Sequence, residues 1–225
     1  MNFVTSWSGG KDSCYAMMQA IRQGFIPKVL LNMMNENGKV SRSHGLPLSI
    51  LNQQAQKMGL PLEGIPATWG DYEAKFVAVL KRLKAKYDLE AAVFGDIDLQ
   101  PHKDWEDKVC AAASLKAILP LWQQDRIVLV NQMLKNGIVA MIVSCNTMMG
   151  ENYLGKILTK ELAQELHEEG IDPCGENGEF HTLVLNCPLF SGAIELPEFT
   201  RITYENYCFI VWKKHKNNYI RLVGT

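Results

Sequence analysis

Short apolar runs alternate with amphipathic stretches through the first half of the chain, the pattern that parallel strand–helix–strand units produce. Phe3 to Ser6 reads as a buried strand. Cys14, Met17, Met18 and Ile21 then recur at i, i+3, i+4 and i+7, one face of a helix that Gly24 can stop. Lys28 to Met34 predicts a second strand, closed by a turn at Glu36-Asn37-Gly38-Lys39. Leu48, Leu51, Ala55 and Met58 mark a second helix ended by Gly59, and Leu62 to Ala67 a third strand with Pro61 and Pro66 at its margins. Tyr72, Phe76, Val79, Leu80, Leu83 and Tyr87 keep helical spacing while Arg82 and the lysines fall largely elsewhere. Ala91 to Phe94 is a fourth strand that stops at Gly95-Asp96, and Pro101 can open a helix in which Trp105, Val109 and Ala112 share a face. Ala117 to Leu121 is a short fifth strand. Such a series predicts an α/β fold, a doubly wound and mostly parallel sheet with helices on both faces.

The pattern loosens after about residue 124. A helix near Asp125 to Asn136 leads into a strand, Ile138 to Cys145, and a helix near Thr159 to Glu169 follows. A loop, Cys174-Gly175-Glu176-Asn177-Gly178-Glu179, precedes the strand Thr182 to Leu185. The tail reads as a hairpin, Tyr207 to Lys213 with Tyr219 to Val223 around His215-Lys216-Asn217-Asn218. Two domains are expected, residues 1–124 and a smaller α+β domain over 125–225.

Composition narrows the classes of partner. The 225 residues are 47% hydrophobic with a net charge of −1, ample for a core and without the basic excess of a nucleic-acid binder. The run Lys213, Lys214, His215 and Lys216 reads as a solvated turn. Six cysteines at 14, 110, 145, 174, 187 and 208 form no C-x-x-C pair, which suits small buried hydrophobes in a reducing compartment. Met1 to Trp7 show no signal-peptide pattern, and the longest apolar stretch, Ile138 to Val143, is too short for a bilayer. A cytoplasmic protein is expected.

The chemistry is concentrated at Ser8-Gly9-Gly10-Lys11-Asp12-Ser13, between the first strand and the first helix, where an open α/β sheet presents its ligand crevice. Glycines lacking Cβ let backbone amides approach phosphate oxygens, and the helix N-terminus adds unpaired N–H groups. Ser8 and Ser13 can donate hydroxyl hydrogen bonds and Lys11 can offset phosphate charge. Asp12 suits an indirect Mg²⁺ ligand or a helix N-cap. The alternative is a glycine turn that merely joins strand to helix. Neither G-x-x-x-x-G-K-[ST] nor G-x-G-x-x-G is present.

This loop resembles the PP-loop, S-G-G-x-D-S, of the ATP pyrophosphatase superfamily, which implies a Rossmann-like sheet, ATP, and cleavage between the α- and β-phosphates. Gly175-Glu176-Asn177-Gly178-Glu179-Phe180-His181-Thr182, with Cys187-Pro188-Leu189-Phe190, resembles the signature of the diphthine–ammonia ligase family. Gly95-Asp96, Leu121-Trp122 before Asp125, and Leu154-Gly155-Lys156 support it, so the likeness spans residues 3 to 190. It implies an amide-forming ligase that activates a carboxylate as an acyl-adenylate and passes it to ammonia, with ATP and Mg²⁺ required. The family acceptor is diphthine, a modified histidine on a translation elongation factor. Implied nucleotide contacts are Ser8, Gly9, Gly10, Lys11, Asp12, Ser13, Gly95 and Asp96, with Asp12 on the metal. Lys11, Asp12, Glu176 and Glu179 are the candidate catalytic residues; His102, Glu106, Asn177, Gly178, His181 and Thr182 are candidates for the acceptor side.

The second loop can also be read from its residues. Glu176 and Glu179 flank a glycine, so their carboxylates could converge with Asn177 and His181 to hold ammonium, orient a cation or accept a proton; the bland alternative is a turn with solvated charges. His102 and Glu106 stand i, i+4 on the fourth helix, which suits a ligand pair or an exposed pair. Asn177, His181 and the stretch Asp98 to Asp107 depart from the usual family pattern and resemble its bacterial branch, which bears on the acceptor rather than on the activation. A PP-loop tRNA thiolase, with Cys174 as its sulfur carrier, and a non-catalytic adenine-nucleotide module are the competing readings.

Overall fold

The computed structural model describes residues 1–213. Its first half is the expected α/β unit: β1 (Asn2–Ser6), α1 (Lys11–Arg22), β2 (Ile26–Met34), α2 (Leu48–Met58), β3 (Leu62–Pro66), α3 (Tyr72–Tyr87), β4 (Ala91–Val93), α4 (Gln100–Ala112) and β5 (Lys116–Ile118). All strand pairs are parallel, in the order β3-β2-β1-β4-β5. The order reverses between β1 and β4, so their C-terminal ends splay apart and open a crevice, as open α/β sheets require.

Alternation along the buried strands explains the two-sided winding. Phe3, Leu30, Ala91 and Val93 face one side, with Cys14, Met17 and Met18 of α1 and Ile50, Leu51 and Ala55 of α2. Val4, Leu31 and Ala92 face the other, against Phe76, Leu80 and Leu83 of α3 and Val109 and Cys110 of α4. Each fully buried aliphatic side chain contributes about 1.5–3 kcal/mol. The helix boundaries obey local rules: Gly59 takes a left-handed φ of 67° to cap α2, and Pro101 sits in the first turn of α4.

The second half contains α5 (Arg126–Lys135), β6 (Val139–Asn146), a 3₁₀ turn (Glu151–Tyr153), α6 (Lys160–Glu168), β7 (Phe180–Asn186), β8 (Phe199–Tyr204) and β9 (Tyr207–Trp212). Its strands form an antiparallel sheet ordered β7-β6-β9-β8. Asp125 and Thr159 cap α5 and α6 with side-chain oxygens that accept from Val128 and Leu162 amides. The first arm of the predicted tail hairpin, Tyr207–Trp212, pairs along its length with Phe199–Tyr204, and Tyr207 to Phe209 also pair with β6. The second arm expected at 219–223 and the basic run beyond Lys213 lie outside the described residues. Lys213 itself pairs with Glu198 at 3.0 Å. Among the described residues no helix is long and apolar enough to cross a membrane.

One core joins the halves, since residues of α1 and α2 share it with α5, β6 and β7. A buried polar knot stands at that junction. Gln54 of α2 donates to the carbonyls of Gly9 (3.0 Å) and Val184 (2.8 Å) and accepts from the Trp7 indole (2.9 Å). Val184 in turn donates its amide to the Gly9 carbonyl at 2.9 Å. Gln54→Leu keeps the volume but strands an indole N–H, so urea denaturation should show a loss of about 2–4 kcal/mol. A loss below about 0.5 kcal/mol would mean that the knot is relieved by solvent.

Candidate active site

β1 delivers the chain into Ser8–Ser13 at the crevice, and the two glycines are there because nothing larger fits. Gly9 has φ +87°, and a Cβ on it would meet Leu46 Cδ1 at 2.7 Å. On Gly10, the N-cap of α1, a Cβ would lie 2.5 Å from His44 Cε1. The Ser8 hydroxyl accepts from the Gly10 amide (3.2 Å) and shares a hydrogen bond with Ser13 Oγ (3.0 Å). Gly95 closes the loop from β4, where a Cβ would stand 2.7 Å from the Ser13 amide nitrogen.

Lys11 turns inward. Its side chain is 3% exposed, its Nζ donates to Asp12 Oδ2 at 2.8 Å and to the Cys174 carbonyl, and it lies 5.5 Å from the Phe180 ring centroid. Burial alone would lower the pKa of Lys11, but Asp12 beside it reverses the shift and the ammonium stays charged. The backbone amide of Lys11 donates to Thr182 Oγ1 at 3.1 Å. Asp12 keeps a second oxygen, Oδ1, buried and without a partner.

The loop Cys174–Thr182 forms the facing wall, shaped by Asp172 rather than by the motif itself. Asp172 accepts from the amides of Cys174 (2.9 Å) and Glu176 (2.7 Å) and from Arg126 Nη1 (2.7 Å). Arg126 also grips Asp98 with Nε and Nη2 at 2.9 and 2.5 Å. Gly175 (φ +69°) makes the turn, where a Cβ would fall 2.5 Å from the Phe180 carbonyl oxygen.

Between the walls lies a cleft of about 620 Å³ that brings together most of the sequence-derived candidates: Ser8, Lys11, Asp12, Ser13, Gly95, Asp96, His102, Glu176, Asn177, Gly178, His181 and Thr182 all line it. Glu176 receives the Ile97 amide at 2.9 Å; burial lifts its pKa to about 7, with Asp12 and Asp96 adding to the effect. Glu179 is not brought to Glu176. It binds the amide and side chain of Asn177 (3.1 and 3.2 Å) and faces a second hollow beside Asp98, Arg126 and His167. The expected convergence of the two glutamates is therefore absent, because the Gly178 turn points them to opposite sides of the loop.

His102 and Glu106 are not an exposed pair. Glu106 is 3% exposed beside Asp96, and His102 Nδ1 lies 2.7 Å from Asp96 Oδ1. Sequence reasoning missed His44, which packs against Gly10, bonds the Thr182 carbonyl through Nδ1 (2.9 Å) and lies 4.6 Å, ring to ring, from His181. Burial holds both rings neutral, at about 3 for His44 and about 4 for His181. Cys174, on which thiolation depended, is buried; its thiol bonds the Arg126 carbonyl at 3.2 Å, and burial pushes its pKa up, away from thiolate chemistry.

A family model for the diphthamide synthase N-terminal domain matches residues 1–117, and one for the diphthamide synthase C-terminal domain matches residues 125–217. The chain belongs to the diphthamide synthase family. A Danio rerio relative named diphthine–ammonia ligase is 27% identical over 93% of this chain and 91% of that protein. The Homo sapiens protein of the same name is 28% identical over 83% of this chain and 79% of its own length. The Schizosaccharomyces pombe one is 31% identical over 85% of this chain, which spans only 35% of that longer protein. A crystal structure described as a predicted subunit of tRNA methyltransferase from Methanocaldococcus jannaschii aligns over 84% of this chain and 98% of its own, with 19% identity and a TM-score of 0.46. Both diphthamide synthase segments line the cleft: Ser8 to His102 come from the first, Cys174 to Thr182 from the second.

Glu176 gives the cleft a measurable pH signature. Its native pKa of about 7 exceeds the ordinary 4.5, so between those values the folded protein keeps a proton that the unfolded chain has lost. Stability should fall as pH rises through that window and level off above it. Glu176→Gln removes the penalty while still accepting the Ile97 amide. By urea denaturation it should match wild type at the bottom of the window and exceed it by about 1 kcal/mol above it, after allowance for partial exposure. A variant weaker than wild type at both ends would contradict this assignment.

Proposed function

We propose that this chain is an ATP-dependent, AMP-forming amide ligase that joins ammonia to the carboxylate of diphthine on a translation elongation factor. The observation that carries the reading is the facing of two loops across one cleft, with the buried, charged Lys11 bonded to both. Ser8–Ser13 supplies amides and hydroxyls for phosphate oxygens, and Gly95 and Asp96 close the nucleotide side. The acceptor carboxylate attacks the α-phosphorus, the bond to pyrophosphate breaks, and ammonia then forms a C–N bond as AMP leaves. A carboxylate oxygen is a poor leaving group and AMP a good one, so adenylation is what makes the amide reachable. The protein's share is positioning and charge stabilisation.

Mg²⁺ belongs to the same proposal. The buried, unpartnered Asp12 Oδ1 fits an oxygen-seeking cation. Asp12 is the residue that would hold the ion beside the phosphate loop. Bound there, it would supply positive charge against the negative charge developing on pyrophosphate.

Residues 1–124 hold ATP and residues 125–225 the acceptor in this scheme. Glu176 faces the reacting centre and captures ammonium. Glu179 and Asn177 stand at the rim where a macromolecular acceptor enters, and Gly178, His181 and Thr182 shape the wall between. A cytoplasmic setting goes with an elongation-factor partner.

The test supplies ATP, Mg²⁺, ammonium and elongation factor carrying diphthine. AMP, pyrophosphate and amide should appear in equal amounts and fall to background without ammonium. Asp12→Ala and Ser13→Ala should each cut AMP formation at least about 100-fold while the fold persists by circular dichroism. Wild-type turnover in either variant, or ATP bound without turnover when every substrate is present, sinks the proposal.

A further inference from the structure

Ammonia reaches a neutral-pH site mostly as ammonium, which has no lone pair. A ligase that uses it needs a group to take its proton before the C–N bond forms, and a route for that proton to water. The cleft contains an arrangement suited to this step, and it is not in either signature loop. His102 stands at the start of α4 with 57% of its side chain exposed, and its Nδ1 lies 2.7 Å from Asp96 Oδ1. Asp96 follows β4 by three residues, and one turn after His102 along α4, Glu106 lies against Asp96 with its Oε2 buried and accepting no hydrogen bond.

We propose that His102, held by Asp96 with Glu106 behind it, takes the proton from ammonium and passes it to solvent. The inference rests on the amide-ligase reading above.

The chemistry balances without a further reactant. The His102 Nε2 lone pair takes H⁺ from NH₄⁺, leaving NH₃ and an imidazolium. Ammonia's lone pair forms the C–N bond, the bond from the acyl carbon to the phosphate oxygen breaks, and AMP carries away that electron pair. The imidazolium, at the exposed edge of the cleft, returns its proton to water. The hydrogen bond to Asp96 fixes Nδ1 as the protonated nitrogen and leaves Nε2 free.

The surrounding charges fit. Burial would raise the pKa of Asp96, but its bonds to His102 and Glu106 bring it below the ordinary value, so it stays an anion. Burial, then the contact with Asp96, lifts Glu106 to about 11, so Glu106 keeps its proton beside the charged Asp96. Glu106 is thus a positioning residue: it gives Asp96 a donor without adding a second charge. Asp96 raises the pKa of His102 despite partial burial, and Glu176 faces it from the second loop with the same sign. A base tuned upward towards neutrality suits ammonium.

The nucleophile provides the decisive test, because hydroxylamine is already uncharged at neutral pH and needs no base before it attacks. With ammonium, His102→Gln should lower AMP formation about 100-fold at pH 7 and recover as pH rises. With hydroxylamine, the same variant should lose less than about threefold. Equal losses with both nucleophiles would overturn the proposal, leaving His102 a merely structural part.

A second measurement needs no acceptor, so it separates this inference from a failure of the ligase reading, which would show as wild-type protein inactive with either nucleophile. His102 is titrated by NMR in the free protein. Asp96→Asn should lower its pKa by about one unit, while Glu106→Gln, neutral and still a donor, should leave it within about 0.3 unit of wild type. A fall of about one unit in Glu106→Gln would show that Glu106 is ionised, and no change in Asp96→Asn would show that Asp96 does not hold the ring; either result overturns the arrangement.

Discussion

A buried ammonium group must find oxygen partners or lose its charge, and much of this site follows from how Lys11 meets that demand. One partner, Asp12, is its neighbour in sequence. Another, the Cys174 carbonyl, belongs to the other half of the chain, and reaching it draws the Cys174–Thr182 loop across the phosphate loop. The Lys11 amide repeats the link through Thr182 Oγ1, and His44 bonds the Thr182 carbonyl from outside. The two signature loops are therefore one structure. Their separation by more than 160 residues in sequence is bridged at a single side chain and its amide, and Gln54 locks the same junction from below through Gly9 and Val184.

The sheet was legible because its strands are buried on both faces and its helices keep a clean apolar stripe; α1 to α4 begin and end close to where spacing, Gly59 and Pro101 place them. β8 was not legible. It is a half-exposed edge strand, Phe199–Tyr204, so neither continuous hydrophobicity nor firm alternation marks it, and its pairing with β9 could not be read. The contiguous Ser8–Ser13 motif could be read because all its functions lie within one turn of backbone. His44, Gln54, Arg126 and Asp172 could not, since each comes from a different element and has meaning only through what it meets in space.

Asp172 shows why a motif can be recognised without its geometry being known. The motif states that Glu176 and Glu179 flank a glycine, which is compatible with convergence. What decides their directions lies upstream: Asp172 holds the amides of Cys174 and Glu176, and Arg126 holds Asp172 while gripping Asp98. This fixes Glu176 towards Ile97 and the cleft, and the positive φ at Gly178 sends Glu179 to the neighbouring hollow. Two carboxylates three residues apart therefore sit in different environments, one desolvated and lifted towards neutrality, the other at a rim.

The two neutral imidazoles fit the same electrostatic pattern. His44 and His181 pack ring against tilted ring beside the phosphate loop, and each is kept uncharged chiefly by burial; the other ring adds to this at His44, and the Lys11 ammonium adds to it at both. They give the wall bulk and hydrogen-bonding atoms without adding positive charge next to Lys11, where a second cation would weaken the grip on Asp12. Charge beside the phosphate loop is thereby kept to Lys11 and Asp12, with Asp96, His102 and Glu176 lining the same cleft. Glu176 feels both Asp12 and Lys11, so the groups suited to handling protons and the cation suited to phosphate share one field, in which the substrates meet charges already fixed in place.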